Sequence, residues 1–366
     1  MAIAVPYCKF SRMPTGQRFF FFLSLLFFVL VVQSRAGAQY QASTAAGEPP
    51  HVAWSGRDSA RAILEQALGI MKNQYYARDQ VAWDSLAGQA RRKAGDATNC
   101  KDSYAILNDC FQQMNARHSF LMPVANTAVY DQDSTLAPRH PVWRQLVGQI
   151  RASLLPGNIG YLKVPWVSTS DPAISILVAD SLQFLIEELD GKGISKWILD
   201  LRGNSGGNCW PMLAGIGPLL PDSLCGYFVF PDRKVPLLYQ DGQASYGARV
   251  MCALDRPGYR LKSAQNYIAV LIGPGTSSSG ETVALAFRGM PDVLFFGQPT
   301  AGYTTANTAY RLMDQSTLVL TVSREADRSG RICEGSIKPD QLITSPPEYE
   351  GQDPVRDEAL MWLGIF

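Results

Sequence analysis

From about residue 142 onwards the chain alternates short apolar runs, rich in β-branched and aromatic residues, with stretches of helical periodicity. The runs are "NIGYLKVPWV", "KWILDLRG", "YIAVLIG", "DVLFFGQ" and "STLVLTVSR", and the helical patterns lie at 172–189, after Asn208, and from about Ser278. Strands that alternate with helices predict an α/β sheet with crossover connections. Segments 306–313 and 316–324, parted by a short "DQS" turn, predict an antiparallel pair, and 354–364 a closing helix. The preceding region has a different texture. Ile63, Leu64, Ala67, Leu68, Met71 and Tyr75 recur at helical spacing, and two further helices are predicted near 83–94 and 102–116. The expected organisation is a small N-terminal helical domain at 58–122 and an α/β core at 123–366. With 366 residues and 46% hydrophobic composition, the chain can bury both.

The first 57 residues stand apart from both. Lys9, Arg12 and Arg18 precede an apolar run from Phe19 to Val32, interrupted only by Ser24, and Ala36-Gly37-Ala38 follows. A basic start, a short apolar stretch and a small-residue cleavage site predict a secretory signal peptide over 1–38, cut after Ala38, then a polar leader over 39–57. The apolar run is short for a membrane span, which needs about 20 residues. Removing 1–38 takes away Lys9, Arg12, Arg18 and Arg35 and no acid, which turns the formal charge of +1 negative. A weakly acidic protein has no electrostatic footprint for nucleic acid. The expectation is therefore a secreted or periplasmic protein, not held in the membrane once the signal is removed.

Six cysteines follow the signal: Cys100, Cys110, Cys209, Cys225, Cys252 and Cys333. No CxxC or Cys/His cluster implies a metal, and no cofactor is implied by any motif. In an oxidising compartment Cys225 and Cys252, which bracket a stretch read as irregular, are the candidate disulfide.

Two turns could carry chemistry. "GPGTSSSGET" (273–282) lies between the "YIAVLIG" strand and a helix, and Ser278 has the S-x-x-E spacing of a capping box with Glu281. By spacing alone a helix cap explains it. A helix N-terminus also presents unpaired N–H groups, which suits an oxyanion. "LDLRGNSGGN" (199–208) follows a strand and packs glycines into a sharp turn. Such a turn can bring backbone N–H groups to a ligand, or it can be a tight turn with Asp200 or Arg202 in a structural ion pair. Its spacing matches neither a Walker loop nor a dinucleotide fingerprint. Of three histidines, His51, His118 and His140, His118 in "ARHSF" is best placed to be a base.

Taken in order, strand-"DLRGNSGG", strand-"GTSSSGE", "FGQPTAG" and "CEGSIKPD", with "GNIGYL" ahead of them, resemble the tail-specific or C-terminal processing protease family. The resemblance covers about 58–364 and implies a crotonase/ClpP-like sheet core with flanking helices. In that family the serine three residues before the glutamate is the nucleophile, here Ser278. Its lysine-containing branch places a base in "TFGKG", but this chain reads "TAGYT", with Tyr303 at the lysine position. The tricorn-like branch takes its base from a histidine in a D-x-H-[ST] segment. "NARHS" resembles that segment, with Asn115 or Ala116 in place of the acid, which makes His118 the base and Ser119 an auxiliary candidate beside Glu281 and Tyr303.

The same branch uses a late glutamate, here Glu334 in "CEGSIKPD". The implied roles are Ser278 as nucleophile, His118 as general base and Glu334 as orienting carboxylate, with an oxyanion hole from the backbone of Ser279 and of Gly206 or Gly207. About 25 residues separate His118 from the core, too few for the PDZ module of the lysine-containing branch. The implied substrates are oligopeptides or unfolded segments. Two other classes stay open: a catalytically silent member that binds an apolar ligand or a protein, and, on fold analogy alone, an acyl-transfer enzyme.

Overall fold

The computed structural model describes residues 56–123, 147–221, 223–344 and 352–364. The expected signal, the leader up to residue 55, His51 and His140 lie outside them. Three helices open the described chain: α1 (Arg57–Gln74), α2 (Trp83–Ala94) and α3 (Cys100–Gln113). They pack through Ile63, Leu64, Leu68, Met71, Leu86, Leu107 and Phe111. Their shared core does not close on itself. It continues into Leu318, Leu320 and Val322 of β12 (Thr317–Ala326), so the helical region and one face of a sheet are one packing unit.

That sheet has seven strands. β1 (Phe120–Met122), β12, β5 (Ser223–Val229), β6 (Lys234–Gln240), β7 (Gln243–Tyr246) and β8 (Arg249–Ala253) lie in this order, and β11 (Thr305–Arg311) also pairs with β12. The β11/β12 hairpin agrees with the expected antiparallel pair. The stretch read as irregular is instead the β5–β8 meander. This also corrects the disulfide expectation: Cys225 and Cys252 are buried thiols on β5 and β8. Those strands are three places apart, about 14 Å at the usual strand spacing, whereas a disulfide needs Cα atoms within about 7 Å.

The second sheet has six strands in the order β13 (Gln341–Leu342), β10 (Val293–Gly297), β9 (Tyr267–Ile272), β4 (Lys196–Asp200), β3 (Ile159–Lys163) and β2 (Arg151–Leu155). All its pairings are parallel except β2 with β3. The crossovers run through α4 (Pro172–Asp190), α5 (Cys209–Ile216) and α6 (Ser279–Leu285). Period-two alternation decides the faces. Trp197, Leu199 and Val270 join the large core with α4, α5 and α6, while Ile198, Ala269 and Leu271 meet Val355, Ala359 and Leu363 at α7 (Pro354–Trp362).

Asp200 ends β4 and accepts from Arg202, whose guanidinium also forms a bidentate pair with Asp353 ahead of α7, at 2.7 and 2.8 Å. The structural ion pair foreseen for this turn is present, and it fixes the turn's position at the ends of the parallel strands. Ligands in open α/β sheets are found at that edge.

Candidate active site

The two glycine-containing turns come together at the carboxyl ends of β4 and β9. Ser277 N–H donates to Asn204 O (3.0 Å), and Thr276 Oγ1 donates to Leu201 O (2.9 Å). The glycines are there because nothing larger fits. A Cβ on Gly207 (φ +101°) would lie 1.9 Å from Val167 O, and one on Gly206 (φ +106°) would lie 2.9 Å from Ser278 Cβ. A Cβ on Gly280 would lie 2.4 Å from Asn204 O.

Ser278 sits at the N-terminus of α6 with φ 51° and ψ −122°, a left-handed backbone that a non-glycine residue adopts only when its surroundings impose it. Glu281 imposes it. Its carboxylate accepts from Ser278 N–H (2.9 Å), Gly302 N–H (2.9 Å), Tyr303 N–H (2.7 Å) and Thr300 Oγ1 (2.5 Å). Burial raises the Glu281 carboxyl, and these four donors work against that rise.

The expected oxyanion donors are narrowed by the hydrogen bonds already made. Gly206 N–H donates to Asn204 Oδ1 (3.0 Å). The N–H groups of Gly207 and Ser279 have no acceptor among the described residues, and Ser279 Oγ donates to Gly207 O, which holds the two residues together.

His118 arrives from the other sheet. Asn115 (φ 52°) closes α3 in a Schellman arrangement, in which Ala116 N–H reaches Phe111 O (2.8 Å) and Asn115 N–H reaches Gln112 O (3.0 Å). The asparagine that stands near the family's acid position is thus a helix cap. The chain then enters β1, and Ser119 is fixed by Thr321, whose N–H donates to Ser119 Oγ (3.0 Å). His118 itself is bound at both ends: Asn307 Nδ2 donates to its carbonyl (2.8 Å), and its Nδ1 meets Thr305 Oγ1 at 2.7 Å. The Tyr303 ring lies beside the imidazole, centroids 5.1 Å apart. Burial lowers the His118 pKa to about 4, so the ring is neutral at pH 7.

One pocket is lined by His118, Ser278, Ser279, Thr282, Thr305 and Glu325, with Phe228, Ala306 and Asn307. Among the expected residues, His118, Ser278 and Ser279 therefore line the same pocket. Glu281 and Tyr303 support them from behind, and Gly206 and Gly207 flank the Ser278 turn. Glu334 is not brought in. Its side chain is 76% exposed and pairs with Arg324 at 3.2 Å, because "CEGS" forms a surface turn after β12. The carboxylate at the pocket is Glu325, 3% exposed, which accepts from Thr282 Oγ1 at 2.8 Å.

Thr305, Asn307 and Glu325 were missed in the sequence. A signal existed: Thr321, Ser323 and Glu325 alternate with Leu320 and Val322 on β12, and both sets are buried. A strand with one buried polar face is uncommon and marks a site.

An α/β sheet with a serine at a strained strand-to-helix turn, beside backbone N–H donors and a neutral histidine, has the architecture of a serine-type peptidase. Sequence comparison agrees: the profile of Peptidase family S41 matches residues 158–343, and the chain belongs to that family. The nisin-resistance protein of Lactococcus lactis subsp. lactis is 30% identical over 275 residues, which are 75% of this chain and 80% of that protein. The carboxy-terminal processing protease CtpA of Bacillus subtilis is 27% identical over 206 residues, 56% of this chain but 38% of its own length.

Solved structures share the fold. A lipoprotein from Streptococcus agalactiae superimposes with a TM-score of 0.65 at 23% identity, covering 88% of this chain and 99% of its own. The photosystem II D1 C-terminal processing protease does so with 0.53 at 15% identity, covering 80% and 96%. Among the described residues no helix is long and apolar enough to cross a membrane.

Proposed function

We propose that this protein is a secreted or periplasmic serine endopeptidase, exported by the basic and apolar segment at its N-terminus, with Ser278 as nucleophile and His118 as general base. The observation that carries the reading is the lining of one pocket by both residues, the histidine being held neutral and fixed at Nδ1. With Nδ1 committed to Thr305, Nε2 is the ring atom left to take the Ser278 proton as Oγ attacks a scissile carbonyl, and to return it to the leaving amine. The developing oxyanion is received by the N–H groups of Ser279 and Gly207. Thr305 takes the orienting place that a carboxylate holds in other triads, and no part is assigned to Glu334. Tyr303 and Glu281 hold the loop and the nucleophile's backbone, and Ser119 anchors the histidine segment.

The substrate class is short peptides or unfolded segments. The relative named for nisin resistance supports a small peptide as the target. The test is a digest of an unstructured peptide library by the wild-type protein and by Ser278→Ala, read by mass spectrometry. New termini made by the wild type and absent with the variant are expected. Intact peptides with both proteins would sink the peptidase reading and favour a ligand-binding role.

A further inference from the structure

Two buried oxygens in the pocket have no partner within the described protein. Glu325 Oε2 and Asn307 Oδ1 both belong to side chains at most 4% exposed, and both residues line the space beside Ser278 and His118. Their orientations are fixed. The Asn307 amide donates its Nδ2 to His118 O, which leaves Oδ1 for the pocket. Glu325 accepts from Thr282 at Oε1, which leaves Oε2. The register shift between Ala306 and Asn307 in β11 is the kind of bulge that re-aims a side chain next to a site.

The pocket that both residues line with Ser278 and His118 has room for about one water-sized group. Buried polar atoms of this kind are characteristically joined by a water making about three hydrogen bonds. Glu325 is also driven towards its neutral acid by burial and by the neighbouring Glu281, and no cation among the described residues is paired with it. With Oε1 accepting from Thr282, the neutral acid would carry its proton on Oε2, which would make that atom a donor.

We infer that Glu325 and Asn307 form the seat of the hydrolytic water that frees the acyl-enzyme. This rests on the peptidase reading above. A water there donates one O–H to Asn307 Oδ1 and the other to His118 Nε2, and accepts from Glu325 Oε2–H. Its remaining lone pair faces the acyl carbon on Ser278. In the step, the water oxygen bonds to that carbon and His118 takes the water proton. The C–Oγ bond then breaks, and the proton passes to Ser278 Oγ, which leaves a carboxylic acid and free enzyme. Glu325 and Asn307 are positioning residues, and neither exchanges a proton with the substrate.

The test is pre-steady-state hydrolysis of an activated p-nitrophenyl ester by the wild type, Glu325→Met and Glu325→Gln. Glutamine keeps an acceptor for Thr282 and a donor for the water, whereas methionine keeps only the volume. Glu325→Met is expected to give a full acylation burst followed by turnover at least tenfold slower. Its KM should fall in step, kcat/KM should hold, and an acyl adduct should be trapped on Ser278 by mass spectrometry. Glu325→Gln is expected to stay within a few-fold of wild type. Equal losses of kcat and kcat/KM in both variants, or no loss in either, would overturn the inference.

If Glu325→Met does not fold, wild-type partitioning decides. A water-sized seat lets hydroxylamine capture the acyl group and excludes 2-propanol, and equal capture by both would overturn it. Failure of the wild type to acylate at all would count against the peptidase reading itself. A normal burst with unchanged decay in Glu325→Met would count against the water seat alone.

Discussion

Ser278 N–H and Glu281 Oε2 are 2.9 Å apart, and through that bond the Ser278 turn and the Tyr303 loop hang on one buried side chain. Removing it leaves several buried N–H groups unsatisfied at once. Glu281→Ala is expected to lose at least about 3 kcal/mol in urea unfolding, since each orphaned buried group costs roughly 1–3 kcal/mol. Activity should fall with it, because the strained Ser278 backbone loses its restraint. Wild-type stability in the variant would show that the network is dispensable.

Glu334 supplies the contrast. Its exposed pair with Arg324 is of the kind worth about 0–1 kcal/mol. Glu334→Ala should keep full peptidase activity and unfold within about 0.5 kcal/mol of wild type. A large loss of kcat would restore Glu334 to the mechanism.

The close packing of the glycine turn gives a paired prediction. Gly207→Ala places a methyl against Val167 O and should abolish measurable turnover. Gly193 also has a positive φ, +75°, but nothing lies within 4 Å of its added Cβ. Gly193→Ala should therefore show only the backbone cost, about 1–2 kcal/mol, with kcat unchanged. Similar behaviour of the two variants would remove the argument that close approach is what the turn requires.

The pH dependence follows from the burial of His118. Its neutral form is the proposed base, and burial depresses its pKa to about 4, so kcat/KM should stay flat from neutral pH down past 6 and fall only towards pH 4. A solvated histidine would place that fall near the ordinary value of about 6.5. For stability the sign is the same. The unfolded chain takes up the proton first, so the histidine's contribution is intact above about 6.5 and is lost progressively as pH falls towards 4. An acid limb centred at 6.5 or higher would contradict a desolvated base.

Thr305→Val tests the orientation of the ring. Losing the 2.7 Å contact to Nδ1 should lower kcat roughly tenfold or more while leaving the fold intact, since ring orientation contributes to general-base catalysis. Unchanged kcat would mean that packing against Tyr303 alone positions the imidazole.

Much of this was legible in the residues. The helices at 57–74 and 83–94, the parallel strands and the β11/β12 hairpin follow from periodicity, which local sequence carries directly. The meander at 223–253 did not. Gly226, Pro236 and Gly247 interrupt its alternation, and its strands are held by neighbours more than by pattern. The motifs pick out the serine, the histidine and the glycine turns that gather at the pocket. The pocket's buried carboxyl is not picked out, because Glu334 and Glu325 are nine residues apart in one polar stretch, and only β12 pairing with β5 and β11 decides which of them is buried. Thr305 and Asn307 reach the site through a bulge that the sequence does not announce.

The central claim is that His118 activates Ser278, and the rate of fluorophosphonate labelling tests it most directly. Wild-type protein should be labelled at Ser278 alone, and His118→Ala should react about 10²–10⁴-fold more slowly at the same residue. Labelling of another residue, or an equal rate in the variant, would contradict it.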